Sequence, residues 1–92
     1  MIVRSKYEWC SIPDGDNGNR NVMNNPFNSE HFLRMDVDDH SPTLLIGGSK
    51  VYRILIQCTF QTNFVWNYRN EKQRDEDFEH IISSINGEVS AV

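Results

Sequence analysis

A chain of 92 residues that is 38% hydrophobic has room for one domain with one core and no more. Its formal net charge of −4 and pI near 5.2 exclude a protein that coats nucleic acid through a general positive surface. No run approaches the roughly 18 apolar residues of a membrane span, and the opening MIVRSKYEW lacks the apolar core and cleavage site of a secretory signal. The expectation is a cytoplasmic protein in which Cys10 and Cys58 stay free thiols.

Residues 2–12, IVRSKYEWCSI, place Val3, Tyr7 and Trp9 on one side and Arg4, Lys6 and Glu8 on the other. This alternation predicts an N-terminal strand pairing with an edge of the main sheet, ended by Pro13. Residues 13–28, PDGDNGNRNVMNNPFN, offer little to bury and read as one long Asn-rich loop. Residues 29–36, SEHFLRMD, read as a short helix with Ser29 as N-cap. The acidic run Asp36, Asp38 and Asp39 then forms a solvated connection, and TLLIG at 43–47 reads as a strand turned by Gly47-Gly48-Ser49.

The strongest signal lies in VYRILIQCTFQTNFVWNYR, residues 51–69. Tyr52, Ile54, Ile56, Cys58, Phe60, Phe64, Trp66 and Tyr68 occupy alternate positions, as a half-buried hairpin requires. A turn over Gln61-Thr62-Asn63, with Asn63 left-handed, would set Phe60 against Phe64, Cys58 against Trp66 and Ile56 against Tyr68. Glu71, Lys72 and Arg74 read as a solvated loop. From Asp75, the proposed N-cap, to Asn86, an i, i+3, i+4, i+7 stripe of Phe78, Ile81, Ile82 and Ile85 predicts a helix that packs on the sheet and stops at Gly87. Residues 88–92 read as a frayed tail. The whole is a single α+β domain over residues 1–92, an antiparallel sheet of three or four strands covered by a C-terminal helix.

Motifs for chemistry are sparse. Counted from Asp14, a calcium loop needs Gly at its sixth position and Glu at its twelfth, where the chain has Asn19 and Asn25. His31, His40, His80, Cys10 and Cys58 do not fall at zinc spacings, and no nucleophile elbow or phosphate loop occurs. No catalytic residue, metal or cofactor is expected. The acids Asp75, Glu76, Asp77 and Glu79 suit the start of a helix, or an acidic surface facing a basic partner. Arg53 and Arg69 share the outer face of the hairpin with Gln57, Thr59 and Asn67, a solvated surface or a binding platform.

Taken whole, from MIVRSKYEWCSIPDGDNGNR to FVWNYRNEKQRDEDFEH, the sequence resembles the small phage-encoded anti-CRISPR proteins, nearest to those acting on type I-F systems. The resemblance implies a monomeric, non-enzymatic inhibitor in the cytoplasm of an infected bacterium. It would bind the RNA-guided surveillance complex stoichiometrically, with guide RNA within reach, and stop it from engaging target DNA or from recruiting its nuclease. It carries no motif that assigns residue roles. The partner-binding candidates therefore come from residue chemistry: Arg20, Asn24 and Asn25 in the Asn-rich segment, then Arg53 and Arg69 on the hairpin. The alternative is a nucleic-acid module, because 29–86 reads helix, meander, helix in the order of a double-stranded-RNA-binding domain. Asp75-Glu76-Asp77 stands where that family has a lysine-rich phosphate clamp.

Overall fold

The computed structural model describes residues 1–13, 18–40 and 50–90. Its centre is an antiparallel meander of β5 (Phe32–His40), β6 (Val51–Cys58) and β7 (Asn63–Tyr68), with β6 in the middle. Helix α1 (Glu71–Ser90) follows and lies against β6 and β7. The remaining strands, β1 (Ile2–Val3), β2 (Trp9–Pro13), β3 (Asn19–Met23) and β4 (Phe27–Asn28), pair as β1 with β4 and β2 with β3. The α+β architecture expected from the sequence is the one observed.

The described residues of the first 28 thus pair as one nested hairpin. Val3 opposes Phe27, and Trp9 opposes Met23. Between those pairs residues 4–8 run opposite the shorter 24–26, so the first strand has length to spare. The surplus bulges toward α1, where Ser5 and Lys6 meet Asp77. The predicted loop over 13–28 is therefore largely strand: 19–23 and 27–28 are paired, and Gly18, at φ +81°, leads into β3. Pairing with residues 9–13 satisfies the backbone that the Asn-rich sequence would otherwise leave to water. The N-terminal strand likewise breaks in two and pairs within this arm instead of with the main sheet.

Two other elements differ from expectation. In place of a helix over 29–36 there is a single 3-10 turn, Ser29–His31, capped by the Asn28 side chain, and then β5. Met35 and Val37 alternate with Asp36 and Asp38, and pairing with Ile56 and Ile54 makes that alternation a strand. The acidic run is thus part of the sheet. Asp38 grips its cross-strand neighbour Arg53 in a bidentate pair at 2.6 and 2.8 Å, and Asp39 lies 3.6 Å from Lys50. The helix also starts earlier, because Asn70 and not Asp75 is its cap: the Asn70 Oδ1 accepts from the Gln73 amide at 2.9 Å. It runs through Gly87 rather than stopping there, so 88–90 continue the helix where a frayed tail was expected. The proposed strand 43–47 and its turn lie outside the described residues.

The hairpin keeps its predicted inner face but not its register. Ile56 opposes Phe64, Ile54 opposes Trp66, and Tyr52 opposes Tyr68. Each β6 partner is displaced by four residues from expectation, an even step that preserves the face because side chains alternate. The displacement follows from the turn. It spans Thr59–Thr62, closed by the Thr62 amide on the Thr59 carbonyl at 3.4 Å, and Phe60 and Gln61 take φ of +61° and +58°. Asn63 is an ordinary strand residue, and Phe60 leaves the core face altogether.

The core beneath holds Val3, Phe27, Ile54, Ile56, Cys58, Trp66, Tyr68 and Ile81. Phe27, from the arm, is its aromatic hub, with ring centroids 5.7 Å from Trp66, 6.0 Å from Phe32 and 6.3 Å from Phe64. The Trp66 indole donates to the Asn25 carbonyl at 2.7 Å, so burial leaves its one donor satisfied. Loss of a ring so enclosed costs about 3–5 kcal/mol, a large share of the stability of a domain this size. A smaller cluster of Cys10, Ile12 and Val51, with Val22 against it, seats the β2–β3 end of the arm on the start of β6.

Candidate partner-binding surface

The tip of the β6–β7 hairpin combines backbone strain with apolar exposure. A left-handed φ is natural for Gly and tolerated by Asn, but it costs a bulky L-residue about 1–3 kcal/mol. Phe60 adopts it and gains little burial in return, being 89% exposed. Its only ring neighbour among the described residues is His31, at 6.2 Å edge-on. His31 Nδ1 is in turn 3.2 Å from the Thr59 hydroxyl, and the Thr59 amide donates to the His31 carbonyl at 2.8 Å. The 3-10 turn after β4 therefore braces the hairpin turn from beside.

Next to Phe60 lies an open hollow of about 300 Å³. Ile2, Pro26, Phe27, Cys58 and Phe64 supply its apolar walls, and Asn28, His31, Thr59 and Thr62 its polar rim. None of the described lining residues is an Asp, Glu, Lys or Arg, although 24% of the chain is. Ile2 is 53% exposed at the mouth. Burial raises the Cys58 thiol above its ordinary range, so at neutral pH it is a small apolar wall and not a nucleophile.

The sequence-predicted contacts lie elsewhere and do not converge. Asn24 is 1% exposed and structural. Its Nδ2 donates to the Tyr7 and Asn67 carbonyls at 2.7 and 3.1 Å, and its Oδ1 accepts from the Asn67 amide at 2.7 Å. The side chain mimics a strand along the edge of β7 and has no amide group left for a partner. Asn25 contributes its carbonyl to Trp66 and is exposed. Arg20 stands exposed on β3, opposite Ile12. Arg53 is engaged by Asp38, and Arg69 donates to the Ser11 carbonyl at 2.9 Å, tying the sheet to the arm. The outer face of the sheet forms a second, shallower hollow of about 410 Å³ around Arg34, Asp36, Leu55, Gln57 and Val65, in which charges of both signs alternate with apolar groups.

The acids of α1 divide by role. Glu71 and Asp75 flank Arg74, whose guanidinium also reaches the Asp38 carbonyl and lies 5.6 Å from the centre of the Tyr52 ring. Glu76 accepts from the Tyr7 hydroxyl at 2.7 Å, a bond that raises the phenol. Asp77 is fully buried and accepts from Ser5 Oγ at 2.5 Å, the Lys6 amide at 3.0 Å and the Tyr68 hydroxyl at 2.5 Å. Burial first, and then this carboxylate, push the Tyr68 phenol far up. A buried carboxylate with three donors joins elements together, and the expectation of a surface acid at position 77 is corrected accordingly. Sequence reasoning also missed Phe60, which it placed in the core. The only available signal was an aromatic residue followed by Gln-Thr-Asn where a tight turn had to fall.

Among the described residues no helix is long and apolar enough to cross a membrane. No protein family, curated protein or solved structure matches the chain.

Proposed function

We propose that the chain is a monomeric, non-enzymatic inhibitor that binds a type I-F CRISPR surveillance complex stoichiometrically and blocks its engagement of target DNA in an infected bacterium. The partner class comes from the resemblance of the whole sequence to anti-CRISPR proteins. The observation that carries a binding role is Phe60, an aromatic side chain held in water on a strained backbone. Folding alone does not favour that arrangement, whereas occupancy by a partner does. Of the three candidate arginines, Arg20, exposed on the arm, is the one best placed for a guide-RNA phosphate, since Arg53 and Arg69 already have partners within the fold. The duplex-RNA reading loses its structural premise, because β5 stands where its first helix should be.

The test is a mobility-shift titration of labelled target DNA on purified type I-F complex. Pre-incubation with this protein should abolish the shift at about one equivalent of inhibitor, as tight one-to-one binding requires. DNA binding that persists in the presence of a large excess would refute the proposal.

A further inference from the structure

We infer that the hollow beside Phe60 is the docking site for one uncharged, apolar side chain projecting from a protein partner. This rests on the binder reading above and adds the place and chemistry of the contact. Three observations select the occupant. Among the described residues the lining carries no Asp, Glu, Lys or Arg, and Nδ1 of its one imidazole, His31, is already within hydrogen-bond reach of the Thr59 hydroxyl, so it offers little to a phosphate backbone and little to pair a lysine or a glutamate. Such depletion of charge around aromatic walls characterises the centre of protein interfaces. The volume, about 300 Å³, lies at the lower limit for small-molecule sites and suits a single Leu, Met or Phe anchor. A second copy of this chain would bring a formal charge of −4 against −4, which disfavours self-association.

In this reading the positive φ at Phe60 has a purpose. A Phe kept on the inner face of β6 would fill the space itself. The left-handed turn lifts the ring out and leaves it as one wall, with Ile2, Pro26, Phe27 and Phe64 among the others. His31 and Thr59, hydrogen-bonded to each other, hold that wall from outside.

The test uses the full chain, isotope-labelled, titrated with N-acetyl-leucinamide, N-acetyl-phenylalaninamide and, for comparison, N-acetyl-lysinamide. The apolar probes should shift the Ile2, Cys58, Phe60 and Thr62 amides saturably, and the lysine probe should not. Phe60→Gly removes the ring while suiting the backbone, so it should melt at or above the wild-type temperature yet lose the apolar shifts. Gln61→Gly relaxes the same turn without touching the hollow and should keep them. Phe60→Gly should also weaken capture of the type I-F complex about tenfold or more, as a central anchor does. No saturable shift with either apolar probe overturns the proposal, as does equal capture by Phe60→Gly and wild type. Capture that survives in that way leaves the inhibitor reading intact. Conversely, apolar shifts at the tip without any capture support the docking site and remove the inhibitor reading. Shifts at the same amides on simple concentration, without a probe, would assign the hollow to a second copy and overturn it too.

Discussion

Asn24 and Arg20 lie four positions apart in a stretch of uniform composition, yet the fold gives them opposite roles. The Asn24 amide completes the edge of β7 from inside the protein, while Arg20 projects into water. Asn24→Ala leaves the Asn67 amide and the carbonyls of Tyr7 and Asn67 without that partner at a largely buried position. Orphaned groups of this kind cost about 1–3 kcal/mol each, with incomplete additivity. A loss of about 3 kcal/mol is expected, lowering the melting temperature by roughly 10–20 °C. Asn24→Asp should not rescue it, because a carboxylate keeps the acceptor but turns its second oxygen toward two carbonyls. Arg20→Ala should stay within about 0.5 kcal/mol of wild type. Calorimetry of the three variants checks the assignment, and an Asn24→Ala protein that melts normally would remove the edge-capping role.

At the scale of elements, the N-terminal arm is held to α1 by the buried Asp77 carboxylate, with Glu76 on the Tyr7 hydroxyl and His80 Nε2 3.0 Å from the Arg4 carbonyl beside it. Ser5 both donates to Asp77 and accepts from the Tyr7 amide at 2.9 Å, so it links the bulge at 4–8 to itself as well as to the helix. Hydrogen bonds to charged groups contribute about 1.5–3 kcal/mol. Ser5→Ala should therefore cost about that much, and much of it should appear locally. The Lys6 and Tyr7 amides should exchange faster, while those of β6 remain slow in the same hydrogen-exchange experiment. Uniform acceleration across the sheet would mean that the arm and the sheet open as one unit. None of this was legible beforehand, because Asp77 sits in a run of four acids that chemistry alone cannot rank. Alternation along 51–69 revealed which side chains face inward but could not tell two registers that differ by an even step. The turn decided between them, and it uses Phe and Gln where Gly or Asn would be expected. Segment 19–23 shows the opposite failure: its composition favours a loop, and it becomes a strand only because residues 9–13 pair with it. The apolar stripe of α1 was readable because helical spacing survives whatever surrounds it, as Ile81 in the core shows.

Across the whole molecule, three acidic protons are sealed into the two hydrophobic clusters. Cys58 and Tyr68 belong to the main core and Cys10 to the smaller one, and burial raises all three above their ordinary values. The consequence appears only in alkali. From about pH 8 the unfolded chain begins to release the thiol protons, and from about pH 9 that of Tyr68, while the folded chain holds each of them more tightly. The unfolded state then binds fewer protons than the native one, so stability falls as pH rises, by about 1.4 kcal/mol per pH unit for each group fully in this window. Well below pH 8 these groups are protonated in both states and contribute no slope. Tyr68→Phe separates the phenol from the thiols. At pH 7 it should be less stable than wild type, since the Tyr68 bond to Asp77 is lost. Between pH 10 and pH 11 it should lose about 1 kcal/mol less than wild type does. Urea midpoints measured at pH 7, 9.5, 10.5 and 11 would show the two stability curves converging, and curves that stay parallel would mean that Tyr68 ionises in the folded protein as readily as in the unfolded chain.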